Sequence, residues 1–296
     1  MADRPRLNRI WSWIGRQRSE ERTAFVLAGG GSRGASQVGM LAELAERGIR
    51  ADRVYGASVG AVNAVAYAAD PTVEGVKRLE DTWVHLRPDD IFPKARVHGP
   101  WLFFQQRASV YANSGLRQLL ESGLEIDELE DTVIPLEVVA TSLTDGAERW
   151  FTTGSIVDAV LASAAIPGIF PPVSIDGEMF IDGGVVNNVP VSRAAASGAT
   201  SIYVLLCGPS RHTPQVAKRP IEAVISALFT SVHARFAREV EELGELEVFV
   251  FNGTGRVSQD FRDFGSSPEM IEAGRLEVCR VLDESGPHGG HRPVVD

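Results

Sequence analysis

The chain has 296 residues, 44% of them hydrophobic and 23% charged, an ordinary soluble globular composition with enough length to bury a sizeable core. Its formal net charge of −10 argues against nucleic acid as a partner, because phosphate binding depends on clustered Lys and Arg. No apolar run approaches the roughly 18 residues of a membrane span and no apolar h-region stands near the start, so the expected location is cytoplasmic.

Residues 1–22 read as a basic amphipathic segment. Within 4–18, Leu7, Ile10, Trp11 and Ile14 recur at helical spacing, with Arg4, Arg6, Arg9, Arg16 and Arg18 around them. Trp with Arg on such a helix suits peripheral contact with an anionic membrane. A helix packed on the domain or a frayed terminus fits the same pattern.

Residues 23–28, TAFVLA, form a short apolar run ending in glycines, which predicts a buried strand. GGGSRG follows at 29–34, then a helix in which Met40, Leu41, Leu44 and Ala45 share a face and Gly48 is the stop. The pattern repeats with RVYGAS as strand, a turn at Ser58, and VGAVNAVAYAA as a helix ending before Pro71. Successive β-loop-α units imply neighbouring parallel strands, with loops gathered at their C-terminal edge, so both glycine motifs share one edge. Further strands are predicted at 134–143, 149–153, 178–182, 201–207 and 246–251, and a helical stretch at 217–243. The fold class is α/β, a parallel-rich central sheet flanked by helices. The catalytic domain is read as 23–283, with 284–296 a polar, Gly- and Pro-rich tail. Residues 85–113 mix Pro with a WLFF cluster and no clean period, fitting either a lid or acyl-binding wall, or a loop whose aromatics plug the core. Cys207 and Cys279 lie far apart and read as reduced, buried thiols.

GASVG at 56–60 raises the question of a serine nucleophile. A Ser in a sharp strand-to-helix turn presents its hydroxyl above the sheet, and Gly56 and Gly60 stand where a side chain would collide with backbone. GGGSRG offers backbone N–H groups for a tetrahedral oxyanion, with Arg33 adding positive charge. It lacks the Lys-Ser/Thr ending of a phosphate-binding P-loop. For a base, His212, His233, His288 and His291 have no glycine-framed context. Asp182 in FIDGGVVNNVP ends a predicted strand and is followed by Gly183 and Gly184, which let backbone approach closely. Asp-Gly is also an ordinary turn dipeptide, and the residues alone leave that choice open.

GGGSRG, GASVG, ASAAIPGIFPPV (162–173) and IDGGVVNNVP (181–190), in this order, resemble the patatin-like phospholipases. The resemblance spans residues from about Thr23 to Pro190. It implies a lipid acyl hydrolase with Ser58 as nucleophile, Asp182 as base, Gly29, Gly30, Gly31 and Arg33 lining the oxyanion site, Gly56 and Gly60 framing the nucleophile turn, Gly183 and Gly184 supporting the base, and no metal or cofactor. The family often has Thr where this chain has Ala57, a small side chain that the turn tolerates. The implied substrate is a phospholipid, lysophospholipid or neutral lipid ester. The same machinery would serve an acyl thioesterase. Two readings outside it are a non-catalytic, membrane-recruited lipid-binding protein and a Ser-His-Asp hydrolase using His212 or His233.

Overall fold

Thr23–Leu27 forms β1, in which Phe25 and Leu27 face one apolar cluster and Ala24 and Val26 the other, all at 0–1% exposure. A strand covered on both faces loses the polar alternation of a surface strand, which is why the run is continuously apolar. Each Phe or Leu buried this completely contributes about 1.5–3 kcal/mol relative to exposure. The computed structural model describes residues 22–93, 109–210, 235–253 and 262–285. The basic segment at 4–18, the WLFF cluster, residues 217–234 of the predicted late helix and the tail from 286 lie outside the described residues.

In chain order, β1 leads to α1 (Ala35–Glu46), β2 (Arg53–Ala57), α2 (Val59–Ala69), α3 (Val73–His85), α4 (Pro88–Ile91) and α5 (Ser114–Gly123). Then come β3 (Leu136–Ser142), β4 (Glu148–Phe151), α6 (Ile156–Ser163), β5 (Val173–Ile175), β6 (Glu178–Asp182), α7 (Val191–Ala196) and β7 (Ser201–Leu205). Residues 235–242 are helical (α8), followed by β8 (Glu247–Phe251) and α9 (Ser267–Ser285). Strands β8, β7, β1, β2 and β3 pair in parallel, β4 and β6 are antiparallel to β3, and β5 is antiparallel to β6. The α/β, parallel-rich sheet read from the sequence is the one observed.

Three details differ. β5 was not anticipated: it is three residues long, too short to show a period, and turns through Asp176 (φ 50°) and Gly177 (φ 82°) into β6. Positive φ at both central residues is the signature of a two-residue hairpin turn. α9 carries helix to Ser285, past the boundary drawn at 283. Cys207 is buried, but Cys279 is only half-buried, on a helix whose outer face meets solvent.

The register around β3 fixes the position of the site. Backbone groups of successive strand residues point alternately to the two edges. Val54 N–H donates to Pro135 O (3.0 Å) and Leu143 N–H donates to Met179 O (2.8 Å). Positions 135 and 143 have the same parity, so β2 and β6 lie along one edge of β3. Ser142 N–H donates to Ala147 O (2.9 Å) on the other edge, where β4 pairs. β2 ends with Ala57 beside Val139, and β6, running the opposite way, ends with Asp182 beside Ala140. The two strands meet end to end, and the residue after β2 is Ser58.

Candidate active site

Ser58 occupies φ 55°, ψ −128°, a conformation that costs a non-glycine residue on the order of 1–3 kcal/mol. Its surroundings hold it there. Ser58 N–H donates to Ser163 Oγ (2.9 Å) at the end of α6, and its carbonyl accepts from Ala61 N–H (2.9 Å) to begin α2. A Cβ on Gly60 would lie 2.2 Å from the Leu27 carbonyl oxygen, and one on Gly56 would lie 2.7 Å from Ala61 Cα. Glycine at both positions therefore lets α2 descend onto the ends of β1 and β2, lifting Ser58 into the turn.

Asp182 meets it there. Ser58 Oγ donates to Asp182 Oδ2 at 2.6 Å, within the short range of a hydroxyl bonded to a carboxylate. Gly184 N–H donates to Asp182 Oδ1 at 2.7 Å, from the 3-10 turn Gly183–Val185. The Asp182 backbone is pinned on both sides: its N–H donates to Ala165 O (3.0 Å), and its carbonyl accepts from Thr141 Oγ1 (2.9 Å). Ser163 and Ala165 thus brace both members of the pair from the segment ASAAIPGIFPPV. Asp182 is 4% exposed and Ser58 5%. Burial pushes the Asp182 carboxyl up to about 7, against the opposing pull of the Ser58 and Gly184 hydrogen bonds.

The glycine loop runs from β1 into a 3-10 turn, Gly31–Gly34, that opens α1. Ser58 is the N-cap of α2, so the partial positive charge of that helix N-terminus lies at the serine. Gly29 abuts the serine: a Cβ there would lie 2.9 Å from Ser58 Cβ. Arg33 was expected as a charge lining the oxyanion site. Its Nε donates to Gly30 O (3.2 Å), and its Nη1 lies 3.3 Å from where a Cβ on Gly208 would stand, beyond β7. Burial lowers its guanidinium from the ordinary value. Cys207 Sγ donates to Ala28 O (3.2 Å), and burial pushes this thiol up to about 12, so it is a neutral packing group.

The Patatin-like phospholipase family model matches residues 25–195, which contain every residue just described from Phe25 to Arg33, Ser58, Ser163, Ala165 and Asp182. The chain belongs to the patatin-like phospholipase family. It is similar to mouse patatin-like phospholipase domain-containing protein 6, 29% identical over 192 residues, which are 64% of this chain and 14% of that protein. It is also similar to the neuropathy target esterase sws of Drosophila melanogaster, 26% identical over 215 residues, 72% of this chain and 15% of that protein. The chain therefore spans about a seventh of the length of the curated relatives it matches. The crystal structure of VipD from Legionella pneumophila aligns with a TM-score of 0.49 and 16% identity, over 90% of this chain and 67% of that one.

In this patatin-like site a buried polar network went unread in the sequence. Gln37 Nε2 donates to Ala28 O (2.8 Å) and Leu205 O (2.9 Å), Asn63 Nδ2 donates to Gly34 O (3.0 Å) and Gln37 Oε1 (2.9 Å), and Trp83 Nε1 donates to Asn63 Oδ1 (2.9 Å). Gln37 and Asn63 are fully buried. A satisfied network of this kind rigidifies what it joins, here the ends of β1 and β7, the glycine loop and helices α1, α2 and α3. The available signal was a lone Gln and a lone Asn inside helices of small apolar residues. The candidate histidines His212, His233, His288 and His291 lie outside the described residues, and no helix among those described is long and apolar enough to cross a membrane.

Proposed function

We propose that the chain is a serine acyl hydrolase that cleaves carboxylic esters of lipids, phospholipid, lysophospholipid or neutral lipid, through an acyl-Ser58 intermediate. The observation that carries this reading is the 2.6 Å hydrogen bond from Ser58 Oγ to Asp182 Oδ2, inside the segment matched to the family. Asp182 takes the Ser58 proton as Oγ attacks the ester carbonyl, and the oxyanion forms against the glycine loop. Collapse of the tetrahedral species expels the alkoxide, which takes the proton from Asp182. Water then attacks the acyl ester, with Asp182 again receiving a proton, and the acid leaves as Ser58 Oγ is reprotonated.

An isolated carboxylate is a weak base for a hydroxyl. Three features favour the transfer: the carboxyl is raised to about 7 by burial, the proton already lies on a short hydrogen bond, and the N-terminus of α2 at Ser58 stabilises the charge that forms. The experiment is intact-mass measurement after exposure to a fluorophosphonate ester, with turnover of a short nitrophenyl ester measured alongside. Wild type should carry one adduct, Ser58→Ala none, and Asp182→Asn should label slowly. An adduct that survives in Ser58→Ala would end the proposal.

A further inference from the structure

We infer that Asn188 and Arg33 are positioning residues that aim the Gly30 and Gly31 N–H groups at the oxyanion; the inference rests on the acyl-hydrolase reading above. A trans peptide unit is planar, so the carbonyl of one residue and the N–H of the next point in opposite directions. Fixing a carbonyl therefore fixes the N–H behind it. Asn188 Nδ2 donates to Gly29 O (3.3 Å), which sets the plane that carries the Gly30 N–H. Arg33 Nε donates to Gly30 O (3.2 Å), which sets the next plane, carrying the Gly31 N–H. Two successive peptides are thus held by their carbonyls, leaving both N–H groups facing the opposite side. Gly29 N–H is itself taken by Asn188 O (3.3 Å), so the donors narrow from three glycines to two.

The space around Asn188 is shaped for this side chain. Its Oδ1 lies 2.3 Å from where a Cβ on Gly29 would stand and 2.4 Å from one on Gly184. Any side chain at either glycine would evict the amide. Asn188 is 9% exposed and fills the gap between the oxyanion loop and the turn whose Gly184 N–H holds Asp182 Oδ1. One side chain thereby sets the spacing between the group that accepts the proton and the groups that accept the negative charge. Arg33 in this arrangement acts through the Gly30 carbonyl, and its positive charge is secondary.

The test compares Arg33→Lys and Asn188→Leu with wild type and Ser58→Ala, using the full chain and a short nitrophenyl ester. Lys places a methylene where Arg has Nε, keeping the cation and losing the carbonyl clamp. Leu approximates the shape of Asn and donates nothing. Each variant should lose about 10- to 100-fold in kcat at unchanged KM, part of the 10²–10³ that outright loss of an oxyanion donor costs. The pH midpoint should stay at its wild-type value, because Asp182 is untouched, and thermal melting should show the variants folded at the assay temperature. If Asn188→Leu does not fold, Arg33→Lys decides. Wild-type kcat in Arg33→Lys beside an inactive Ser58→Ala overturns the positioning role alone, as does a loss that merely tracks the unfolded fraction. Wild-type turnover by Ser58→Ala overturns the hydrolase reading, and this inference with it.

Discussion

Two carboxylates on adjoining parts of the sheet are equally buried, Asp182 and Glu137 each at 4% exposure. Asp182 sits beside Ala140 of β3, three residues along the strand from Glu137, roughly 10 Å at strand rise. Glu137 Oε1 takes Arg53 Nη1 at 3.0 Å and its Oε2 takes Arg193 Nε at 2.8 Å. Asp182 takes only neutral donors among the described residues, the Ser58 hydroxyl and the Gly184 amide. Burial is common to both and does not by itself make a catalytic group. What differs is the cation: without one beside it, burial raises Asp182 to about 7, where it could accept a proton and give it back as the proposed dyad requires.

The largest effect should come from removing either end of the Ser58–Asp182 pair. Ser58→Ala and Asp182→Asn are each expected to lower kcat on a nitrophenyl ester by on the order of 10⁴-fold or more. Asp182→Asn retaining a tenth of wild-type turnover would mean that the base lies elsewhere. Next in size is the pH dependence. The proposed reaction needs the ionised Asp182 carboxylate, so kcat/KM should fall about tenfold per unit below a midpoint near 7 and level off above it. A midpoint near the ordinary carboxylate range would mean that burial does not raise the Asp182 carboxyl.

Glu137→Gln tests the other member. It leaves the Arg53 and Arg193 guanidiniums without their shared carboxylate, but both side chains are 44% exposed, so water replaces much of what is lost. The expected cost is about 1–3 kcal/mol of stability, read as a lower Tm. Turnover per folded molecule should match wild type. A selective loss of activity without a change in Tm would mean that the two carboxylates are not separate in function.

Much of this was legible locally. The units β1-loop-α1 and β2-turn-α2 follow from short apolar runs, glycines and helical spacing. Asp182 does not, because the chain holds three Asp-Gly dipeptides. Asp145-Gly146 shapes the β3–β4 connection, where Asp145 Oδ1 accepts the Ala147 N–H, and Asp176-Gly177 is the β5–β6 hairpin turn. Only Asp182-Gly183 ends a strand that abuts Ser58, and that depends on the register of β3 against two other strands. Neighbouring residues cannot encode such a fact, so the assignment rested on resemblance. The Gln37–Asn63–Trp83 network was invisible for the same reason, since its bonds join residues from 9 to 168 positions apart.

The smallest expected effect is on stability, and it has a definite sign. Asp182 has its folded-state carboxyl raised from an ordinary 3.8 to about 7 by burial. A raised group favours the folded state fully at pH below its unfolded value and loses that contribution as pH climbs through its folded value. Above about pH 7 the fold therefore carries an ionised, buried carboxylate with neutral partners, a state that the proposed catalysis would use and stability opposes. Asp182→Asn imitates the protonated form at every pH: its amide oxygen can accept from Gly184 N–H while its nitrogen donates to Ser58 Oγ. The variant should match wild type only below about pH 4, already exceed it slightly in Tm at pH 5, and exceed it by several degrees more at pH 8, the difference levelling off above about pH 7. Thermal melts of both proteins across pH 5–8 check this directly. A Tm difference that does not grow with pH would mean that the carboxyl is ionised throughout that range, and that burial at this strand end is less costly than the lack of a cation implies.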